Sequence, residues 1–290
     1  MKKCAIIVNG FYTNPSIEHQ VASLKRELEV RGVVCTVVKG NELLAHVEGC
    51  NAVTWLDVDF AVYLDKDVHT ARLLERSGIR LFNSASAIEL CDDKMLTYIA
   101  LTGKGVRMPK TVSSPVLYRP VSEDGTFLNR VEQEIGYPTV VKEVFGSMGY
   151  GVHLAVNRDE LDALRQRFKL VPHLYQQFIG RGGEDKRVIL VGGEVVACML
   201  RKNDGDFRSN IEHGGKGYVT ELTDEEKDIA TAAARELGLD YCGVDILTGL
   251  DGKPYFCEAN SNAFFRGIEA VTGVSVAGKY ADFILCSLTE

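Results

Sequence analysis

No apolar run in this sequence approaches the roughly 20 residues that a helix needs to cross a bilayer. The opening MKKCAIIVNGFYTN turns polar too early for a secretory signal. Both absences argue against a membrane partner, and the chain is expected to be cytoplasmic. No C-x-x-C pair occurs among the eight cysteines, Cys4, Cys35, Cys50, Cys91, Cys198, Cys242, Cys257 and Cys286. Most of them sit inside apolar runs, which suits reduced, buried thiols better than a disulfide framework or a zinc site. The six histidines show no ligand spacing, and neither a G-x-S-x-G nucleophile turn nor a Walker G-x-x-x-x-G-K-[ST] is present. Covalent catalysis by a side chain is therefore not expected. Positive charge is also scarce: 33 Lys and Arg against 40 Asp and Glu leave a net charge of −7, which argues against a nucleic-acid partner. There are no internal repeats and no low-complexity linker.

The 290 residues are 46% hydrophobic, enough for two or three α/β subdomains with a sizeable core. CAIIVNG (4–10), VVCTVV (33–38), DFAVYLD (59–65) and IRLF (79–82) read as buried strands. Helical spacing over 17–30 and 67–77 separates them, so the first stretch predicts a small open parallel α/β unit. A helix over about 92–103, started by Asp92 or Asp93, opens a new pattern; a helix over 124–135 follows, then two strands joined by the Gly-rich loop GSMGYG (146–151). From 172 onward come PHLYQQFI, KRVILVGGEVVACMLR, a polar loop at 202–217, a helix at 224–237, a hairpin and a last helix near 275–287. The expected division is 1–90, 91–175 and 176–290.

That hairpin, DILTGLDGKPYFCEAN (245–260), carries an acid near each end. A two-residue type I′ turn centred on Asp251 and Gly252 would put Leu250 opposite Lys253 and Asp245 opposite Glu258, with Asn260 on the same face. Facing carboxylates repel. Something positive should lie between them, and two carboxylates with an amide oxygen are the hard ligand set that Mg²⁺ takes. Replacing either acid with its amide is then expected to leave stability unchanged or raised. An ordinary hairpin with solvated acids is the alternative. GSMGYG is followed by a strand rather than a helix, so it is no dinucleotide fingerprint, but its N–H groups and Ser147 could cover phosphates, with Lys142 near the end of the strand before it. Arg187 and Arg201 flank two strands joined by Gly192-Gly193, and two neighbouring guanidiniums need an anion to neutralise them.

In order and spacing, Lys94, YPTVVKEVFGSMGYGV, QQFI, DKRVILVGG, MLR, FRSN..HGG, GVDIL and EAN resemble the ATP-grasp superfamily, most closely its RimK-like branch, over roughly 90–275. The resemblance implies an α/β fold of the α+β ATP-grasp kind: a preceding open parallel unit, then two α+β subdomains that clasp ATP. It implies that Lys94 and Lys142 touch ATP phosphates under a lid that includes Gly146, Ser147, Gly149 and Gly151, that Gln177 and Phe178 meet adenine, and that Asp185 lies near the ribose. Arg187, Arg201 and Asn210 would serve catalysis, Arg208 and Ser209 the nucleotide, and Asp245, Glu258 and Asn260 the Mg²⁺, with Mn²⁺ as a substitute. The implied activity is that of a carboxylate–amine ligase working through an acyl phosphate. Its partners would be ATP, a carboxylate, and an amine on an amino acid, peptide or protein tail, in a monomer or homo-oligomer. An ATP-grasp kinase and a non-catalytic nucleotide-binding module are the alternatives. Three features depart from the family pattern: Gln177 where Glu is usual, Lys186 between Asp185 and Arg187 where an apolar residue is usual, and SNAFFRGIE in place of Ser-Pro-Gly after EAN. In that last stretch Arg266 could bind a substrate carboxylate, or simply pair with Glu269 along a helix.

Overall fold

A computed structural model describes residues 1–210 and 214–289. The first unit is a parallel sheet in the order β2-β1-β5-β6, formed by β1 (Lys3–Val8), β2 (Val34–Lys39), β5 (Phe60–Leu64) and β6 (Arg80–Phe82). β1 and β5 are buried along almost their whole length, as strands covered on both faces must be. α1 (Pro15–Glu29) starts where Asn14 accepts from the N–H groups of Ser16 and Ile17, with Pro15 in its first turn. α2 (Val68–Arg76) starts in the same way at Asp67. A short hairpin of β3 (Ala45–Glu48) and β4 (Asn51–Thr54), unforeseen because it is mostly exposed and weakly patterned, leans against α2.

The helix expected over 92–103 is α4 (Lys94–Leu101), while α3 (Ala85–Asp92), just before it, was not foreseen. Asp93 divides them: its backbone is extended, and its carboxylate accepts the Leu96 N–H at 2.8 Å as the cap of the second. The central sheet is antiparallel, in the order β7-β10-β8-β9, from β7 (Thr111–Ser113), β8 (Thr139–Glu143), β9 (Val152–Ala155) and β10 (His173–Gln177). α5 (Thr126–Ile135) and α6 (Arg158–Phe168) close its core of Leu128, Val131, Val141, Leu161, Phe168 and Tyr175. The highly charged α6 was not foreseen, although Leu161, Leu164 and Phe168 carry its apolar stripe.

The third sheet is antiparallel, β13-β12-β11-β14-β15, from β11 (Glu184–Val191), β12 (Glu194–Lys202), β13 (Lys216–Val219), β14 (Tyr241–Thr248) and β15 (Pro254–Asn260). Val188, Leu190, Cys242, Val244, Ile246 and Phe256 point toward α4 and α7 (Asp224–Glu236). On the other face Ile189, Val191, Met199 and Tyr241 enter one core with α1, β1, β5 and α9 (Val276–Ser287). The first and third units therefore share a core, while the central sheet has its own.

The β14–β15 turn differs from the one expected. Gly249 faces Lys253, its N–H donating to the Lys253 carbonyl at 2.8 Å, so the loop is three residues, Leu250 to Gly252, closed by Gly252 at φ 74°. Asp251 has no positive φ, which a type I′ turn would require. The register slips again at a bulge between Asp245 and Ile246, leaving Cys257 unpaired, and the two one-residue slips cancel. Asp245 does face Glu258.

Candidate active site

The charged residues meet because side chains alternate along strands. Asp185 faces Arg201, Arg187 faces Asp245, Asp245 faces Glu258, and Gly243 faces Asn260. Directly paired residues share a face, so these charged and amide side chains lie on one face of the third sheet. It is the face whose far end carries Ile189, Val191, Met199 and Tyr241 into the shared core. Gly243 is needed among them: a Cβ there would lie 2.6 Å from the Ala263 Cβ and 3.1 Å from the Arg187 Cδ. Its bareness lets Arg187 lie across the strand.

Arg201 does stand near the open end of the hairpin, next to last in β12, but neither arginine is exposed or waiting for an outside anion. They are buried in a chain of ion pairs. Arg187 grips Asp245 with two nitrogens, Nη2 at 2.8 Å. Arg201 bridges Asp185 (Nε, 2.7 Å) and Asp245 (Nη2, 2.8 Å). Burial alone would raise the Asp245 carboxyl, but the two guanidiniums outweigh it and hold it below its ordinary value. Asp185, buried and close to the like charge of Asp245, is pushed up despite Arg201. The positive charge beside Asp245 is thus guanidinium. Glu258 accepts only from Asn260 Nδ2, at 3.2 Å, among the described residues. No three His, Cys, Asp or Glu side chains converge among the described residues. The donor set of Asp245, Glu258 and the Asn260 amide oxygen still suits Mg²⁺, an ion that completes its shell with water and phosphate oxygens.

Two cavities meet here. A narrow one of ≈ 90 Å³ lies between the central and third sheets, lined by Lys142, Gly149, Gln177, Phe178, Asp185, Arg208, Ser209, Asn210, Asp245 and Glu258. A wider one of ≈ 580 Å³ opens toward the first unit, lined by Ser147, Arg187, Arg201, Asn210, Glu258, Asn260 and Arg266. Asn210 and Glu258 line both. Lys142 is buried, its ammonium 3.8 Å from Cys257 Sγ; burial opposes its charge, but Cys257, Tyr98 and Glu258 outweigh that and its pKa is raised. Burial and the like charges of Lys66 and Lys142 lower Lys94, although Glu258 partly opposes them. Three expected residues, Lys94, Gly146 and Gly151, line neither cavity. Lys94, expected on ATP phosphates, instead donates to the Gly146 carbonyl at 2.8 Å, and Arg208, expected on the nucleotide, donates to the Gly149 carbonyl at 2.8 Å, so both cations hold the glycine loop. The middle of FRSN..HGG, residues 211–213, lies outside the described residues.

Arg266 is not paired with Glu269. Glu269 accepts from the backbone N–H groups of Val276 and Ala277 and lies 3.0 Å from His19 Nε2, while Arg266 stands exposed at the start of α8 (Arg266–Thr272) on the wider cavity. Asn9, Tyr12, Asp65, Lys66 and Asn262 also line that cavity and were missed. For Asn9, Tyr12, Asp65 and Lys66 the one signal was position beyond the carboxyl ends of predicted parallel strands, where open α/β sheets bind ligands, whereas Asn262 lies in SNAFFRGIE, the stretch that departs from the family pattern.

This geometry defines an ATP-grasp fold. The RimK-domain ATP-grasp protein from Sphaerobacter thermophilus superposes with a TM-score of 0.74 at 22% identity, over 98% of this chain and 99% of that one. The RimK-like ATP-grasp domain model matches residues 91–284, and the chain belongs to that family. It is 37% identical over 230 residues to beta-citrylglutamate synthase B of Danio rerio, covering 78% of this chain and 56% of that protein. It is 36% identical over 231 residues to N-acetylaspartylglutamate synthase A of Homo sapiens, covering 79% of this chain and 58% of that one. The chain thus spans just over half the length of these curated relatives.

Proposed function

We propose that the protein is an ATP- and Mg²⁺-dependent carboxylate–amine ligase whose amine substrate is glutamate or a similar α-amino acid. The observation that carries this reading is the junction of the two cavities at Asn210 and Glu258, beside the buried Arg187 and Arg201. A nucleotide in the narrow cavity and two small substrates in the wide one would meet there. A substrate carboxylate attacks the γ-phosphorus of ATP and ADP leaves; the amine then attacks the acyl carbon, inorganic phosphate departs and an amide remains. Gln177 and Phe178 take the adenine, Asp185 lies toward the ribose, and Lys142 and Arg208 meet the phosphates with Ser209 beside them. Lys94 holds the glycine loop, which closes over the phosphates and excludes water from the acyl phosphate. Arg187, Arg201 and Asn210 neutralise charge that spreads over the transferred group. Mg²⁺ held by Asp245, Glu258 and Asn260, with Mn²⁺ as a substitute, would supply further charge neutralisation at the phosphates. Glutamate is favoured as the amine because both relatives are named for products that contain it.

The test is incubation with ATP, Mg²⁺ and pools of amino acids and small carboxylates, following phosphate release and product mass. Release that depends on one carboxylate and one amino acid, with an amide product, supports the reading. A phosphorylated product without an amide replaces it with a kinase, and no turnover with any pair removes it.

A further inference from the structure

Resting on the ligase reading, we propose that the crevice at the carboxyl ends of β1 and β5 is the amino-acid subsite: Asp65 takes the ammonium group, and Arg266 the carboxylate, of one zwitterionic α-amino acid. The strand order β2-β1-β5-β6 makes this the switch point of the parallel sheet, where the chain leaves β1 toward one edge and β5 toward the other, opening a crevice between the strand ends. Asn9 follows β1 and Asp65 follows β5.

Asp65 receives Asn9 Nδ2 at 3.3 Å on each oxygen and the Lys66 backbone N–H at 2.7 Å, all neutral donors. No side-chain cation pairs with it among the described residues, because the Lys66 ammonium goes to Asp92. Asn9 is held with its amide NH₂ toward Asp65, since its oxygen accepts from the N–H groups of Phe11 (2.9 Å) and Tyr12 (3.1 Å). Asn9 is therefore a positioning residue. Asn262 donates to the Leu64 carbonyl at 2.7 Å, which brings the chain just beyond Glu258 and Asn260 against the end of β5. Its Oδ1 is sealed from solvent and has no hydrogen-bond partner among the described residues. Asn262, like Asn9, is therefore a positioning residue. Arg266, on the wider cavity that Asp65 also lines, has no ion pair among the described residues. An ammonium group offers three donors and no acceptor, which suits a carboxylate without a cation, and a guanidinium suits a carboxylate. Together they complement a zwitterion, held beside the cavity junction.

Calorimetry on the full chain, with Mg²⁺ and a non-hydrolysable ATP analogue present, tests the subsite with L-glutamate as probe. L-glutamate is expected to bind the wild type, and Asp65→Asn to weaken it roughly ten-fold or more. N-acetyl-L-glutamate, which lacks the ammonium, should bind wild type and Asp65→Asn equally weakly. 4-Aminobutyrate, which lacks the α-carboxylate, should bind Arg266→Ala no worse than L-glutamate does. Equal affinity of all chains for the ATP analogue reports that the variants fold. Unchanged glutamate affinity in Asp65→Asn, or no glutamate binding to the wild type, overturns the subsite. Phosphate release driven by some other amino acid would then preserve the ligase reading, and its absence would remove that as well.

Discussion

Asp245 carries two guanidiniums at once, which reverses the expected effect of replacing it. Relief of repulsion from Glu258 cannot dominate when the neutral amide of Asp245→Asn leaves Arg187 and Arg201 short of a buried counter-charge. A loss of about 3–5 kcal/mol is expected, the usual cost of breaking one side of a buried pair. Glu258→Gln, which disturbs no ion pair among the described residues, should melt close to the wild type. Both variants should lose most turnover. Thermal melts of the two beside the wild type decide this, and a wild-type melting point for Asp245→Asn would show that the arginines do not depend on it. Asp240, ahead of β14, gives a pH signature. Burial, opposed by Arg80, pushes its carboxyl up to about 6. The folded chain therefore binds this proton more tightly than the unfolded chain, whose carboxyl titrates near 3.9. The group disfavours the fold above about pH 6, and the penalty fades as pH falls toward 4. Asp240→Asn should thus stabilise on the order of 2 kcal/mol at pH 7 and nothing at pH 4, read from denaturant midpoints at both values.

The hairpin of β14 and β15 works as an element because two irregularities compensate. Gly252 closes the three-residue loop at φ 74° with no atom within 4 Å of where a Cβ would stand, so its role is backbone freedom alone. Gly252→Ala is expected to cost about 1 kcal/mol, the left-handed penalty for an L residue, and Gly252→Asn less. Denaturant midpoints check the order, and equal stability of all three chains would contradict the loop assignment. The loop and the Cys257 bulge were both illegible in sequence, because the Asp-Gly signal serves two-residue and three-residue turns alike. Asp93 was legible as the start of α4, but α3 ending at the same residue was not.

At the scale of the whole molecule, the first and third units share one core through Phe60, Phe82, Tyr241, Phe265 and Tyr280, while the central sheet closes its own. Elements in one core open together, so native-state hydrogen exchange should give β1, β5, β11 and β14 one common opening free energy. β8 and β10 should open separately and at lower free energy, and a single value across all three sheets would contradict this. The separation is functional under the ligase reading, since the narrow cavity lies between a unit with its own core and the fused pair.

The sequence by itself determined the strands and helices whose apolar period is strong, such as 4–10, 59–65 and 224–237, and the order of motifs that placed the chain in its family. It also put Asp245 opposite Glu258, though through two slips that happened to cancel. These are local properties, readable because side-chain alternation and helical spacing repeat within about ten residues. Only the tertiary structure decided that Arg187 and Arg201 are neutralised from within, that Lys94 holds the loop, and that Asn9 and Asp65 line one cavity with Arg266. Arg187 and Asp245 are 58 residues apart and meet because β11 lies beside β14; Asn262 and Leu64 are 198 apart and meet because two units share a core. Which strands become neighbours follows from how whole faces bury each other, and no short window of residues encodes that.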